Sequence, residues 1–296
     1  MLGILFMLLG SLLAETSASA SKLSLKARTL TILDTALILI VAGLIPFLAI
    51  AAFSPSAFVF DVRSLPTLTL RILIELPLIA LTGFALMRAE RSTFTLIRTL
   101  TIPLLLIVDF ALAYPLSLQQ ALGAGMVTVA IIASARGKIS RSGMLLCAIS
   151  AVMATAAISL YKLDLRYNSV VAEQIIVLLF TFAGLSIAKV ALHESLPTTA
   201  LRHSKKTQLS MIASAGAHVF EAFAFKYIVG TAIIVAVKRG MAVLFSLLSG
   251  KAVFREEHFG ERLLLASTII GGIVLMSVPS MVISTARAMI ASVFAL

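Results

Sequence analysis

Three basic side chains, Arg98, Lys238 and Arg239, lie well inside otherwise apolar stretches of the sequence. A charge at the centre of a membrane-spanning helix costs about 2.5–3.5 kcal/mol, so such residues usually face a cavity or a partner. The planar fork of Arg fits a carboxylate or a phosphate, and Lys adds a point charge. We interpret the three residues as lining a substrate-binding site for an anionic group. The alternative is that they anchor the end of a helix.

His218, Glu221 and Glu15 are the other candidates for chemistry. His218 and Glu221 are three residues apart and so share one face of a helix. A histidine beside a carboxylate can exchange a proton near physiological pH, so we interpret the pair as a proton-coupling site or as a binding site for a substrate amine. A self-satisfying polar pair is the open alternative. Glu15 has no charged partner in its own apolar stretch and is predicted to line the same cavity as a substrate-binding residue.

Other charges in apolar stretches are interpreted as structural. Arg71 and Glu75 have the i, i+4 spacing of a salt bridge within one helix. Asp109 lies near the end of its stretch and is expected to contact solvent. Lys22 and Lys162 close two stretches, so we expect their ammonium groups to extend to the membrane surface. The alternative is that these two residues, at equivalent positions of the two halves, face the cavity.

The composition is that of a protein built mainly from membrane helices, which must position these side chains. Sixty per cent of the 296 residues are apolar and 12% are charged, whereas a globular protein has about 25% charged residues. This excludes a soluble enzyme and argues against a nucleic-acid-binding protein, despite the net charge of +11. The 24 basic residues instead fit cytoplasmic loops that meet anionic lipids. Cys147 is the single cysteine, so no intramolecular disulfide is expected.

Hydropathy divides the chain into apolar stretches of roughly 20 residues, the length that crosses a bilayer as a helix. Ten such spans fit into the chain, which predicts an all-α integral, multi-pass membrane protein. We expect it in a bacterial inner (plasma) membrane. The predicted spans are 2–21, 31–53, 67–87, 92–112, 118–135, 143–161, 170–191, 207–226, 230–249 and 263–286.

The two halves of the sequence resemble each other at an offset of 140 residues. Gly3–Lys26 aligns with Gly143–Arg166, and K-L-x-L-[K/R] recurs at the same distance from the shared glycine. Arg98 aligns with Lys238 at the same offset. Five spans per half is an odd number, so the halves must cross the membrane in opposite directions, as the inverted repeats of secondary transporters do. The predicted repeats cover residues 1–140 and 141–296.

The C-terminal third has an Ala-Val-Lys-Arg start to an apolar helix, an acidic loop, and a final helix with paired glycines. These segments are Ala236–Gly250, Phe254–Glu257, Glu261–Leu264 and Ile269–Met276. In this order they resemble the EamA domain of the drug/metabolite transporter superfamily, with a weaker version at Leu118–Gly125 in the first half. The resemblance implies ten transmembrane helices in two inverted five-helix repeats around a central cavity. It also implies an anion site at Lys238 and Arg239, because phosphate-carrying relatives use a Lys-Arg pair in the ninth helix.

Together these patterns predict a secondary transporter that moves a small organic metabolite, anionic or amino-acid-like, by alternating access, with proton coupling left open. The alternative is a flippase or carrier for a phosphorylated lipid. The sequence has no Walker loop and no metal-spaced His/Cys cluster, so we expect no cofactor, no metal and no enzymatic activity. The expected partners are a small-molecule substrate and the lipid bilayer with its anionic lipids, without nucleic acid.

Overall fold

Helices make up the regular structure of this chain wherever the structure describes it. The structure is a computed structural model that describes residues 2–27, 30–112, 117–134, 141–194, 205–227, 231–253 and 259–277. The α-helices are α1 (Leu2–Lys26), α2 (Ile32–Phe53), α3 (Leu65–Arg88), α4 (Arg91–Arg98), α5 (Thr101–Ala111), α6 (Leu118–Ser134), α7 (Arg141–Asp164), α8 (Val170–Ala191), α9 (Lys205–Tyr227), α10 (Thr231–Ala252) and α11 (Phe259–Ser277). Two short 3-10 turns, Pro55–Ala57 and Val62–Ser64, lie between α2 and α3.

Seven helical segments of the described chain are long and apolar enough to cross a membrane. They are Leu2–Lys26, Ile32–Phe53, Val62–Arg88, Arg91–Ala111, Gly143–Asp164, Val170–Ala191 and Thr231–Ala252. The chain is therefore an all-α membrane protein with several spans, as predicted. The count of ten spans and the two inverted repeats stay predictions, and residues 278–286 of the last predicted span lie outside the described residues.

Local sequence signals fix where two central helices begin. At the start of α2, Oγ1 of Thr31 accepts a hydrogen bond of 3.1 Å from the backbone amide of Asp34. In return, Oδ2 of Asp34 accepts a hydrogen bond of 2.9 Å from the backbone amide of Thr31. This reciprocal capping box satisfies two amides that the first helical turn leaves open. At the start of α8, Oγ of Ser169 accepts the amide of Ala172 over 3.1 Å. Both helices therefore begin with a side-chain cap that the sequence itself supplies.

One surface of the bundle, which we call face A, is formed by the ends of α2 and α7 and the starts of α3 and α8. The connections on this face are hydrogen-bonded to each other. The amide of Ser169 donates to the carbonyl of Val59 over 2.9 Å, and the amide of Asp61 donates to Oδ1 of Asn168 over 2.9 Å. Face A thus joins the α2–α3 connection to the α7–α8 turn.

The opposite surface, face B, is formed by the ends of α1 and α3 and the starts of α2 and α4. Nζ of Lys22 donates to the carbonyl of Ala89 over 2.9 Å, and the lysine is only 2% exposed. At face A, Nζ of Lys162 donates in the same way to the carbonyl of Phe225 over 2.7 Å. Lys22 is buried, so the prediction that its ammonium group extends to the membrane surface is wrong. Lys162 is half-buried and binds a carbonyl near the end of a neighbouring helix, so for this residue the prediction stays a prediction.

Small side chains let several helix pairs approach closely, as is usual between helices in membranes. Between the antiparallel helices α1 and α9, the hydroxyl oxygens of Ser21 and Ser210 are 2.7 Å apart. Between α6 and α11, Gly123 and Gly272 face each other, and a Cβ atom on either would lie within 2.6 Å of the other's carbonyl oxygen. The helix pairs in contact include α1 with α9 and α10, α2 with α8 and α9, α3 with α7 and α8, α4 and α5 with α7 and α10, and α11 with α6 and α10.

Candidate functional site

A cavity of about 370 Å³, cavity A, lies among α2, α3, α4, α7, α8, α9 and α10. It extends toward face A, where Tyr161, Gln174 and Phe225 line it. Its ionisable lining residues are Arg71, Glu75, Arg98, His218, Glu221, Lys238 and Arg239. Five of the six predicted site residues are therefore brought together in one place.

A second cavity of about 350 Å³, cavity B, extends from the same level toward face B. Ser21 of α1 and Thr35 of α2 line its far end. The two cavities share four polar residues, which we call the polar belt: Glu75, Arg98, His218 and Glu221. The belt therefore lies between two spaces that extend toward opposite faces.

Glu221 pairs with Lys238, and His218 is not its partner. Oε2 of Glu221 and Nζ of Lys238 are 2.5 Å apart, and the side chains are 18% and 25% exposed. The other carboxylate oxygen of Glu221, Oε1, is buried without a hydrogen-bond partner. His218 instead packs against α2, where a Cβ atom on Gly43 would lie 2.6 Å from its Cδ2. The predicted pair thus shares a face and both cavities, and the ion pair joins α9 to α10.

Arg98 and Arg239 each contact a hydroxyl group. Nη1 of Arg98 donates to Oγ1 of Thr82 over 3.4 Å, and Nε of Arg239 donates to Oγ1 of Thr101 over 3.1 Å. Within the described part of the chain, neither guanidinium forms a salt bridge. The two lie close enough for each charge to repel the other. No carboxylate of the described residues contacts either guanidinium, while Glu75 and Glu15 are near enough to attract Arg98.

The span that carries Arg98 is interrupted beside this pair. α4 ends at Arg98 and α5 begins at Thr101. At the interruption, Oγ1 of Thr99 donates to the carbonyl of Leu96 and Oγ1 of Thr101 donates to the carbonyl of Arg98. Hydroxyls that bond back to carbonyls in this way bend helices. The same Thr101 hydroxyl accepts the hydrogen bond from Arg239.

The predicted salt bridge between Arg71 and Glu75 is wrong. Arg71 pairs with Glu173 of α8, and its guanidinium lies 4.4 Å from the ring centroid of Tyr161. Nε2 of Gln174 donates to Glu173 over 2.8 Å. Arg71 thus contacts a buried carboxylate across the helix interface, and Glu75 stays near enough to act on its charge without a salt bridge. Glu75 is left without a salt bridge in the described residues, and it lines both cavities.

Glu15 lies outside the central cavities, contrary to its predicted place. It forms a salt bridge with Arg91, which is 1% exposed. It lines a third cavity of about 280 Å³, together with Lys206 and Ser249. No sequence signal pointed to Arg91, since it lies between two predicted spans and its partner is 76 residues away. Glu15 therefore has a structural partner.

Asp109 is also placed differently from its expectation. It is 6% exposed, and its Oδ2 accepts the amide of Ala232 over 3.0 Å. Ala232 is in the first turn of α10, where an acidic group complements the open amides of the helix. Asp109 thus caps a neighbouring helix and is almost entirely buried, contrary to the expected contact with solvent.

Comparisons with known proteins leave the function to be argued from this geometry. No family model matches the chain, and no curated protein matches its sequence. The acidic loop 254–257 of the EamA resemblance lies outside the described residues. Among the residues that are described, no group of three or more His, Cys, Asp or Glu could hold a metal ion.

Proposed function

We propose that this protein is a secondary transporter for a small organic solute, anionic or amino-acid-like, that works by alternating access. The observation that carries the proposal is the polar belt of Glu75, Arg98, His218 and Glu221, which borders cavities extending toward opposite faces. A solute at the belt would reach one face through cavity A and the other through cavity B. Proton coupling through His218 and Glu221 belongs to the same proposal.

Helix contacts support two inverted repeats. At the sequence offset of 140 residues, α1, α2 and α3 correspond to α7, α8 and α9, and α4 with α5 corresponds to α10. The contact of α1 with α9 then has its counterpart in that of α7 with α3, and α2 with α9 corresponds to α8 with α3. Lys22 and Lys162, which correspond, both bind a carbonyl near the end of the neighbouring helix. Matching contacts of this kind are expected of two repeats related by a two-fold axis.

The irregular turn between Arg98 and Thr101 lies beside the two arginines of the proposed site. Thr99 and Leu100 keep right-handed helical backbone angles, so Arg91–Ala111 remains one span with a local irregularity. Irregular helices near the middle of the membrane are common at the substrate sites of transporters. We further propose membership of the EamA domain family and a place in a bacterial inner membrane, on the sequence resemblance alone.

A carrier for a phosphorylated lipid is the second candidate. One observation favours it: the third cavity places Lys206 beside Leu209 and Val253, which are 51% and 50% exposed. A basic group next to exposed apolar side chains suits a lipid phosphate and its acyl chain.

The test is flux into liposomes that contain the purified protein. We expect saturable, protein-dependent uptake of at least one solute from a panel of small carboxylates, phosphates and amino acids. The Arg98→Gln/Arg239→Gln variant should lose that uptake. Arg63→Gln is the matched control, because Arg63 is 76% exposed and lies outside both cavities. If the protein moves a labelled phospholipid across the bilayer and no solute flux is detected, the proposal of solute transport is rejected in favour of the lipid carrier.

A further inference from the structure

The charges of cavity A divide into those with a partner and those without one. Arg71 is paired with Glu173, and Lys238 is paired with Glu221. Arg98, Arg239 and Glu75 line the cavity without a salt bridge in the described residues. The unpaired set therefore consists of two positive charges and one negative charge.

Such a set is costly unless a ligand completes it, because unpaired charges inside a membrane protein lack the solvation of water. A simple anion would neutralise the guanidiniums and would leave Glu75 unpaired. A simple cation would pair with Glu75 and would add to the repulsion between Arg98 and Arg239. A ligand that satisfies all three residues carries one positive and two negative charges.

We propose that the ligand of this cavity is a small molecule with one ammonium group and two acidic groups, of net charge −1, whose ammonium binds Glu75. Its acidic groups bind Arg98 and Arg239. This inference rests on the proposed function, because it names the substrate class of the same site. An amino dicarboxylate is the simplest chemistry of this kind.

The placement of the three residues fits such a ligand. Glu75 is on α3, Arg98 on α4 and Arg239 on α10, so the charges approach the cavity from three helices. The guanidinium forks suit carboxylates. The cavity of about 370 Å³ is at the small end of ligand sites in proteins.

The set also differs between the two cavities. Glu75 and Arg98 line both cavities, whereas Arg239 lines cavity A alone. A ligand at the belt therefore keeps its contacts with Glu75 and Arg98 from either side. Contact with the second guanidinium exists only on the side of face A. Glu75 is consequently the residue that distinguishes an acid with an ammonium group from an acid without one, whether the ligand enters from cavity A or from cavity B.

The test measures equilibrium binding to purified full-length protein in lipid nanodiscs, with probes that differ by one charged group. Glutamate carries all three charges, glutarate lacks the ammonium, and glutamine lacks the second acidic group. Aspartate, succinate and asparagine form the shorter series. At least one amino dicarboxylate should bind about tenfold or more tightly than both of its counterparts, because each counterpart leaves one buried charge without a partner.

Glu75→Gln should remove the preference for glutamate over glutarate while binding of glutarate remains. Glu194→Gln, on an exposed carboxylate outside both cavities, is the matched control and should keep the preference. Thermal unfolding of each variant reports whether it is folded. If Glu75→Gln does not fold, the comparison among the wild-type probes still decides the proposal.

Equal binding of glutarate and glutamate, or of glutamine and glutamate, in both series would overturn the inference, as would a preference that survives in folded Glu75→Gln. These outcomes are separate from those of the transport test. The expected binding order without flux would reject transport and keep the ligand class. Flux of other solutes without the binding order would keep transport and reject the ligand class.

Discussion

The charges near the two faces and the charges at the centre of the bundle are arranged in opposite ways. Near the faces, basic residues meet a carboxylate on another helix or connection, as Arg71 meets Glu173, Arg91 meets Glu15 and Lys189 meets Asp34. At the centre, Arg98 and Arg239 lie in one cavity with their charges repelling each other. In the described residues, these basic groups near the faces thus have carboxylates in contact, whereas Arg98 and Arg239 do not.

Under the proposed function, this difference separates residues that hold the fold from residues that bind a ligand. A buried ion pair contributes little net stability over an apolar pair, but removing one partner leaves an uncompensated charge. Mutation at the periphery should therefore act mainly on stability. Mutation of Arg98, Arg239 or Glu75 should act mainly on binding, because these three residues form no salt bridge within the described part of the chain.

The largest expected effect on stability is that of Glu173→Gln. Glu173 has no exposed surface and pairs with Arg71, so the variant removes the one carboxylate that contacts this buried guanidinium in the described residues. The free energy of unfolding should fall by about 3–5 kcal/mol. Thermal or denaturant unfolding in detergent micelles measures the change. Glu194→Gln is the control, since its carboxylate is 38% exposed and lies 3.5 Å from Lys189. Equal stability of the two variants would contradict the structural assignment of the Arg71–Glu173 pair.

A smaller effect is expected where the outer helices α6 and α11 meet. In Gly123→Ala, the new Cβ atom would lie under 3.0 Å from the carbonyl oxygen of Gly272. A backbone atom cannot move aside by a rotamer change as a flexible side chain can, so the two helices would have to shift apart. The free energy of unfolding should fall by about 1–3 kcal/mol, the usual cost of overpacking. The same unfolding measurement in detergent micelles checks the change.

Gly125→Ala on the same helix is the matched control. A Cβ atom on Gly125 meets nothing within 4 Å, so the change should be neutral or stabilising by about 0.5–1 kcal/mol, the difference in helix propensity. Destabilisation of the same size in both variants would mean that the close approach to Gly272 does not decide the outcome.

Much of this arrangement could be predicted from the sequence. Long apolar stretches predicted membrane helices, because the helix is the way a single stretch satisfies its backbone in lipid. Charges inside those stretches indicated where a cavity must be. Arg98, Lys238, Arg239, His218 and Glu221 were selected on that ground, and they line one cavity.

The pairing of charges could not be predicted from the sequence. Spacing within a helix favoured a salt bridge from Arg71 to Glu75, yet the partner is Glu173 on another helix, far away in the chain. Glu15 was placed in the cavity because its own helix has no basic residue nearby, and its partner Arg91 belongs to another helix. Such contacts depend on which helices pack together, so Glu75 became a site candidate only when the packing was known.

The smallest expected effect on stability is that of Glu221→Gln, which also tests the boundary between periphery and centre. Glu221 and Lys238 form an ion pair like those near the faces, but the pair lines the cavity and is 18% and 25% exposed. Because both side chains are partly exposed in cavity A, whereas Glu173 has no exposed surface, the loss of stability should be about 1 kcal/mol or less, nearer to that of an exposed pair than to that of Glu173→Gln.

The same variant should change transport if Glu221 and His218 couple it to protons. Uptake into liposomes by wild-type protein would then respond to an imposed pH gradient, and uptake by Glu221→Gln would not, since an amide carries no proton between the two cavities. Glu194→Gln should keep the wild-type response. An unchanged pH response in folded Glu221→Gln would reject this residue as the proton carrier. A stability loss as large as that of Glu173→Gln would place the Glu221–Lys238 pair with the structural pairs of the periphery.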